Sequence, residues 1–68
     1  MCQMSVVYEK EDGSQEVVME NASLLEVTDG GIRVSALFEE PRFIAGAAVR
    51  SIDFLHGRVT VISSKEGN

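Results

Sequence analysis

The sequence predicts an all-β fold, arranged as a small antiparallel β-barrel of about six short strands. Apolar and polar residues alternate with a period of two along most of the chain, which is the pattern of half-buried strands. Turn residues recur about every 8–12 residues, as in sheets built from short strands. No window carries the apolar stripe of an amphipathic helix. With 68 residues, the chain has room for one domain, spanning residues 1–68.

The first half of the chain predicts four strands separated by three turns. Apolar side chains alternate in the segments 4–9, 16–20, 24–28 and 32–38. Asp12-Gly13 has the composition of a tight hairpin turn. The two glycines after Asp29 supply a positive φ at little steric cost. The interruption at Asn21 is interpreted as a short turn or a single helical turn.

The second half predicts two more strands after a break in the sheet. Pro41 cannot donate a ladder hydrogen bond and restricts the residue before it, so the segment 39–41 is predicted to be a connection. Alternation resumes over 49–55, His56-Gly57 forms a third short turn, and 59–62 completes the sheet. The small residues around Gly46 are interpreted as a loop or bulge in preference to a seam between two chains.

Two phenylalanines are predicted on regular strand faces. Phe38 alternates in step with Ile32, and Phe54 in step with Ile52. Closing the sheet into a barrel of the SH3-like or Sm-like kind would remove the unpaired edges that invite aggregation.

The charge distribution argues against nucleic-acid binding. Six basic and eleven acidic residues give a net charge of −5. The basic residues are scattered, whereas a protein that binds phosphate backbones normally presents a basic stripe. We therefore expect a solvated acidic surface that keeps a small protein soluble.

The sequence also predicts a cytoplasmic location without a membrane segment. The longest apolar stretch, 43–49, is far shorter than the about 20 residues that span a bilayer. Charged residues at 9–12 occupy the place of a signal peptide's apolar region. A free thiol without a partner fits a reducing compartment.

A domain of this size is only marginally stable unless something reinforces it. One cysteine excludes a disulfide within the chain, and one histidine excludes a Cys/His zinc cage within it. Oligomerisation is then the remaining means of stabilisation, and a metal held between two chains is one form of it.

The residues that could act in catalysis form no recognisable constellation. Cys2 and His56 could pair as nucleophile and base, but neither is surrounded by a catalytic signature. His56, directly before a turn glycine, is interpreted as an exposed turn residue in preference to a ligand. Glu39 and Glu40 would point to opposite faces if they lay in a strand, so they are interpreted as a solvated turn in preference to a carboxylate site. We expect that the protein is not an enzyme.

Cys2 allows two interpretations. In the first it is a small buried apolar residue that faces the same side as Met4. In the second its thiolate binds a metal together with backbone nitrogens, the candidate donors being Met1 and Gln3 beside Cys2 itself. One chain then supplies two or three donors, too few for a closed four-coordinate site, whereas two chains related by a twofold axis supply four. Nickel, copper and zinc all suit mixed nitrogen and sulfur donors.

Short elements along nearly the whole chain resemble the CooT family, small nickel-binding proteins linked to maturation of nickel-containing carbon monoxide dehydrogenase. The matching elements are Met1-Cys2, Val6-Val7-Tyr8, Asp12-Gly13, Leu25-Glu26-Val27, Ile32-Arg33-Val34, Leu37-Phe38-Glu39-Glu40, Gly46, Ile52-Asp53-Phe54 and Val59-Thr60-Val61-Ile62.

The resemblance implies a small β-barrel that forms a homodimer and binds one Ni(II) at the interface through Cys2 of each protomer. It further implies a nickel chaperone or maturation factor, whose partner is an apo nickel enzyme or that enzyme's other accessory proteins. The chain ends without the histidine-rich tail of some members, which argues against nickel storage. The alternative hypothesis is a small β-barrel that binds RNA or a protein, with Cys2 purely structural.

Overall fold

The computed structural model describes residues 4–64, which form seven β-strands and no helix. The strands are β1 (Met4–Glu9), β2 (Gln15–Ala22), β3 (Leu24–Thr28), β4 (Gly31–Ala36), β5 (Glu39–Ala45), β6 (Ala47–Asp53) and β7 (Arg58–Ser63). The all-β fold class predicted from the sequence is confirmed, with seven strands where about six were expected.

The strands form two sheets that are not closed into a barrel. One sheet has four strands in the order β2-β1-β7-β6, and the other has three in the order β3-β4-β5. Every neighbouring pair is antiparallel except β1 and β7, which run parallel. Between β2 and β5, the Arg42 guanidinium of β5 donates a hydrogen bond to the Val18 carbonyl of β2 at 3.3 Å.

A core of small aliphatic side chains lies between the two sheets, where β4 packs across β2 and β6. Its largest fully buried members are Val6, Ile32, Val34 and Val61. Full burial of an aliphatic side chain of this size contributes about 1.5–3 kcal/mol. This core fixes which face of each strand turns inward, and so sets the register of the sheets.

β1 keeps the alternation that its sequence predicts. Val6 belongs to the core, and Met4 and Tyr8 pack against that core from the same strand. Val7 is also buried but is not a member of the core cluster, as expected for neighbouring strand residues that face opposite sides. The pairing of β1 with β2 shifts register between Val6 and Val7, and a bulge of this kind bends and twists the strand locally.

The segment predicted to be a break is the start of β5. Pro41 lies inside this strand, between the register positions at which Arg42 faces Val34 and Glu39 faces Ala36. β5 is an edge strand, where the missing N–H of proline is tolerated. The prediction of a connection at 39–41 was therefore wrong for a physical reason that the sequence did not reveal.

Gly46 lies in the turn between β5 and β6, with φ +67°, in agreement with its interpretation as a loop residue. Its N–H donates to the Gly30 carbonyl at 2.8 Å, and its carbonyl accepts from the Ser64 N–H at 2.7 Å. The turn therefore ties the two sheets together. It also starts β6 at Ala47, two residues earlier than alternation predicted.

We expect Gly31→Ala to destabilise the fold far more than Gly13→Ala. Both glycines have positive φ, so both substitutions carry the strain of about 1–2 kcal/mol that a side chain meets there. A Cβ at Gly31 would in addition overlap the Ile44 carbonyl oxygen, whereas a Cβ at Gly13 meets no atom within 4 Å. Urea unfolding should show a loss of about 3 kcal/mol or more for Gly31→Ala. Equal losses for the two variants would contradict the described packing.

Candidate functional site

The metal-binding residues predicted from the sequence lie outside the described residues. Cys2, and the candidate backbone donors Met1 and Gln3, precede Met4, where the description begins. Within residues 4–64, no three His, Cys, Asp or Glu side chains come together as a group that could hold a metal ion. What the structure shows about the predicted site is therefore the position of Met4, the first described residue.

Hydrogen bonds on both sides hold the start of β1. Met4 pairs with Ala22 of β2. On the other side, the Ser5 N–H donates to the Gly57 carbonyl at 2.8 Å, and Ser5 stands opposite Arg58 in the parallel register. The first described residues are thus fixed beside the turn that joins β6 to β7.

Three connections lie at this same end of the fold, which we call the N-terminal end. Ser23 joins β2 to β3 and donates its N–H to the Ser35 carbonyl near the end of β4, at 2.9 Å. Residues 37–38 join β4 to β5, and residues 54–57 join β6 to β7. The opposite end carries the 10–14 turn, the turn before Gly31 and Gly46.

The connections at the N-terminal end carry five large exposed apolar side chains. Five of the nine large apolar residues exposed in the described part lie here: Leu24 (52% exposed), Leu37 (73%), Phe38 (96%), Phe54 (82%) and Leu55 (87%). Large apolar side chains exposed together at one end of a small protein are characteristic of an interaction site. We call these five residues the apolar end.

The sequence patterns misassigned both phenylalanines of the apolar end. Phe38 was predicted to continue the alternation of Ile32, but β4 stops at Ala36 and Phe38 lies in the following turn. Phe54 was predicted to share a strand face with Ile52, but β6 stops at Asp53. Because each strand ends before its phenylalanine, both rings lie outside the sheets.

A groove of about 270 Å³ runs beside the β4–β5 turn. Its lining residues are Asn21, Ala36, Leu37, Phe38 and Glu39. Asn21 has φ +60°, a conformation that asparagine adopts more readily than most residues. The groove therefore extends the apolar end toward β2 and adds polar groups at its rim.

The single histidine lies on the β6–β7 turn and is held by a carboxylate. His56 Nδ1 is 2.8 Å from Asp53 Oδ2, and the His56 N–H donates to Asp53 Oδ1 at 3.1 Å. Hydrogen bonds from the His56 side chain, and then from its backbone, lower the pKa of Asp53 below its ordinary value. The His56 side chain is 64% exposed, as predicted for a turn residue.

Four of the five Lys and Arg side chains in residues 4–64 contact an acidic side chain or a backbone carbonyl, and the five form no basic stripe. Lys10 contacts Glu16 at 3.5 Å. Arg33 pairs with Glu26 at 3.0 Å and Arg50 with Glu9 at 2.6 Å. Exposed pairs of this kind contribute little stability, but they leave no concentrated positive surface for a phosphate backbone. Over the described residues, no helix is long and apolar enough to cross a membrane.

Comparisons with known proteins give a consistent family assignment. The family model described as "CO dehydrogenase accessory protein CooT" matches residues 1–62. A search of curated proteins found no match. A solved structure, titled putative CooT from Carboxydothermus hydrogenoformans, is similar with a TM-score of 0.78 and 20% identity, covering 90% of this chain and 95% of that one. At this identity, the structural similarity shows a shared fold.

We expect His56→Ala to raise the pKa of Asp53 toward the ordinary value of 3.8. Because the pKa of Asp53 is lower in the folded protein than its ordinary value, the stabilisation from its contact with His56 is fully present above that ordinary pKa. This stabilisation is lost as the pH falls through the folded-state pKa of Asp53. The Asp53 carboxyl carbon, followed by NMR across acidic pH, reports the change.

Asp12 provides the control for this titration. Hydrogen bonds from the Ser14 hydroxyl and backbone N–H lower the pKa of Asp12, so His56→Ala should leave it unchanged. An Asp53 titration identical in the two proteins would contradict the described turn.

Proposed function

The chain belongs to the CooT family of carbon monoxide dehydrogenase accessory proteins, and we propose on this premise that it is the Ni(II)-binding form of such a protein. As an accessory protein it is not itself an enzyme. In the proposal, Ni(II) is cargo that the protein holds for a nickel enzyme such as carbon monoxide dehydrogenase. The partner would be the apo form of that enzyme or another of its accessory proteins.

The donor set of the chain start suits nickel. The Cys2 thiolate is a soft ligand, and the Met1 amine and the backbone nitrogens of Cys2 and Gln3 are the nitrogen donors available beside it. Divalent nickel favours planar sets that are rich in such donors. A thiolate that must not form a disulfide fits the reducing environment of the cytoplasm. The function would be reversible chelation.

The position of Met4 supports a site at the apolar end. Cys2 precedes Met4 by two residues, and two residues of extended chain reach at most about 7 Å. Met4 is fixed between Ala22 and the β6–β7 turn. The proposed thiolate ligand is therefore tethered within a short reach of Phe54 and Leu55.

The proposal includes a homodimer that buries the apolar end. A twofold axis through this end would place the same surface on both protomers and bring two chain starts together. Phenylalanine buries about 150–250 Å², so Phe38 and Phe54 alone could supply roughly 300–500 Å² of the about 800 Å² per partner of a standard interface. The dimer would supply the second thiolate that one chain lacks.

We expect Cys2→Ser to abolish the thiolate site. Titration of wild-type protein with Ni(II) should give thiolate-to-metal charge-transfer absorbance that saturates at one metal per two chains. Cys2→Ser should lack this absorbance and should bind Ni(II) more than about 100-fold more weakly than the wild type. Loss of a residue that only supports a metal ligand typically weakens metal binding about 10–100-fold, so loss of the ligand itself should weaken it further. Binding should also weaken as the pH falls, because thiol and amine must lose protons to bind metal.

Nickel binding that is identical in the wild type and Cys2→Ser would overturn the proposal. The alternative of a domain that binds RNA or a protein, with Cys2 only packed, would then stand. A steep decrease of RNA affinity with salt would support its RNA form.

We expect Phe38→Ser and Phe54→Ser to weaken the dimer. Loss of a central aromatic residue from an interface costs about 2 kcal/mol or more, equivalent to roughly a 30-fold rise in the dimer dissociation constant. Sedimentation equilibrium measures this constant. Val27→Ser is the matched control, because Val27 is 73% exposed but stands near the end of β3, away from the apolar end. If both phenylalanine variants dimerise as tightly as the control, the interface lies elsewhere.

A further inference from the structure

We propose that the gap between the edges of β2 and β5 is a second interaction surface, which binds an extended segment of a partner protein by strand addition. The segment carries an apolar side chain and, two positions along on the same face, a carboxylate. The surface is formed by residues within 4–64 and is separate from both the Ni(II) site and the apolar end. The inference therefore goes beyond the proposed function.

β5 presents unpaired backbone groups to the gap. It is the outer strand of the three-stranded sheet, as β2 is of the four-stranded sheet. The bond from the Gly46 N–H to the Gly30 carbonyl sets the alternation of the β4–β5 ladder, in which every second residue turns its N–H and C=O away from β4. By this alternation, the outward groups belong to Phe43 and Ala45. The last three residues of β5 contain neither charge nor proline, whereas its first half has two glutamates and a proline, which discourage strand addition.

β2 faces the gap in the same way. The bond from the Lys10 N–H to the Ser14 carbonyl sets the alternation of the β1–β2 ladder, so Val17 turns its backbone groups away from β1. The Val18 carbonyl also faces the gap, because it accepts the hydrogen bond from Arg42 at 3.3 Å. A side chain and not a backbone ladder thus links the two edges here. This bond is longer than the about 2.7–3.2 Å of a typical N–H···O contact, so the backbone of a partner can replace it.

The gap is a groove of about 320 Å³ in which the core reaches the surface. Its half-buried members are Tyr8, Val18 and Ile44, which pack against the core cluster. Its exposed apolar members are Val17 and Phe43, which are 55% and 56% exposed. An apolar side chain of an added strand would cover residues that the two open sheets leave in contact with water, and such burial is favourable.

Arg42 gives the groove a preference for an acidic partner. No carboxylate of residues 4–64 pairs with the Arg42 guanidinium, whereas three of the other four Lys and Arg side chains in that range contact one. Glu16, the acidic residue that lines this groove, is itself 3.5 Å from Lys10. Arg42 and Ile44 are two positions apart in β5 and therefore share a face. A complementary strand thus meets them with a carboxylate beside an apolar side chain.

The occupant is an extended segment that does not already belong to a sheet. A segment lying between β2 and β5 has a strand edge on each side, whereas every strand of residues 4–64 is already paired on at least one side. A strand of a second folded copy therefore cannot fill the groove without leaving its own sheet. An extended peptide can, with main-chain hydrogen bonds for affinity and side-chain contacts for specificity.

The test uses isotope-labelled full-length protein, NMR and end-blocked synthetic heptapeptides. The probe alternates threonine with two valines and one aspartate, so that the valines and the aspartate share one face. We expect saturable shifts and slower hydrogen exchange at the amides of Val17, Phe43 and Ala45. A matched peptide with lysine in place of aspartate should bind about 2–5-fold more weakly, the difference that an exposed ion pair makes. A peptide methylated at its backbone nitrogens should not bind, because it cannot donate to either edge.

Two pairs of variants assign the contacts. Arg42→Gln should remove the preference for aspartate over lysine, whereas Arg33→Gln alters an arginine that pairs with Glu26 and should keep it. Val17→Pro removes an N–H that faces away from β1, so it should weaken binding of the probe about 2–10-fold, as for one lost hydrogen bond. Val17→Thr retains that N–H and should bind like the wild type. Circular dichroism establishes that each variant is folded.

Four results would overturn the inference. The first is that the three amides do not respond at millimolar probe, and the second is that the shifts lie at the apolar end instead. The third is equal binding of the methylated peptide, which would show contact without strand addition. The fourth is protection of the three amides that rises with protein concentration in the absence of peptide, which would make a second copy the occupant.

The outcome is independent of the proposed function, because none of these measurements involves Ni(II). The peptide comparison in the wild type needs no substitution, so an unfolded variant does not remove the test.

Discussion

The parallel pairing of β1 with β7 is the constraint on which the arrangement of this small protein depends. β1 is an inner strand, flanked by β2 and β7, so both of its edges are satisfied by backbone hydrogen bonds. Because β7 runs parallel to it, the turn that precedes β7 must lie at the end where β1 begins. The Ser5 to Gly57 hydrogen bond closes this junction. The chain start, which bears the only thiol, is thereby joined to the turn that bears the only imidazole.

The same arrangement explains why so much apolar surface stays outside. A domain of this length buries only about 60% of the surface of its unfolded chain, and here the core is made of small aliphatic residues with Met19. All three phenylalanines are exposed, by 96% at Phe38, 56% at Phe43 and 82% at Phe54. Phenylalanine is normally among the most buried residues. Two of the three rings lie at one end, which favours an intermolecular role over incomplete packing.

The sequence predicted the strands wherever local pattern and packing agree. Alternation and turn glycines identified the strands of the first half and the last strand, and these are the regions where one face rests on the core. The β5 strand was missed because Pro41 is acceptable only on an edge, and edge position is a property of the whole sheet. Phe38 and Phe54 were misassigned because alternation does not show where a strand ends. Proximity of the chain start to His56 follows from the parallel pairing, which links residues more than fifty positions apart and leaves no local signal.

In the proposed function, metal ligands at the chain start would suit a carrier better than a buried cage would. A structural metal site encloses its ion with four protein ligands and contributes to folding, so release would require the fold to open. In residues 4–64 the core contains no such group of ligands, so the strands around Met4 could stay paired while a metal enters or leaves the proposed site. The pairing of Met4 with β2 would limit the conformational freedom that binding must remove. In this proposal the sheet would provide preorganisation, the dimer would provide the missing donors, and an exposed position would leave the cargo within reach of an acceptor.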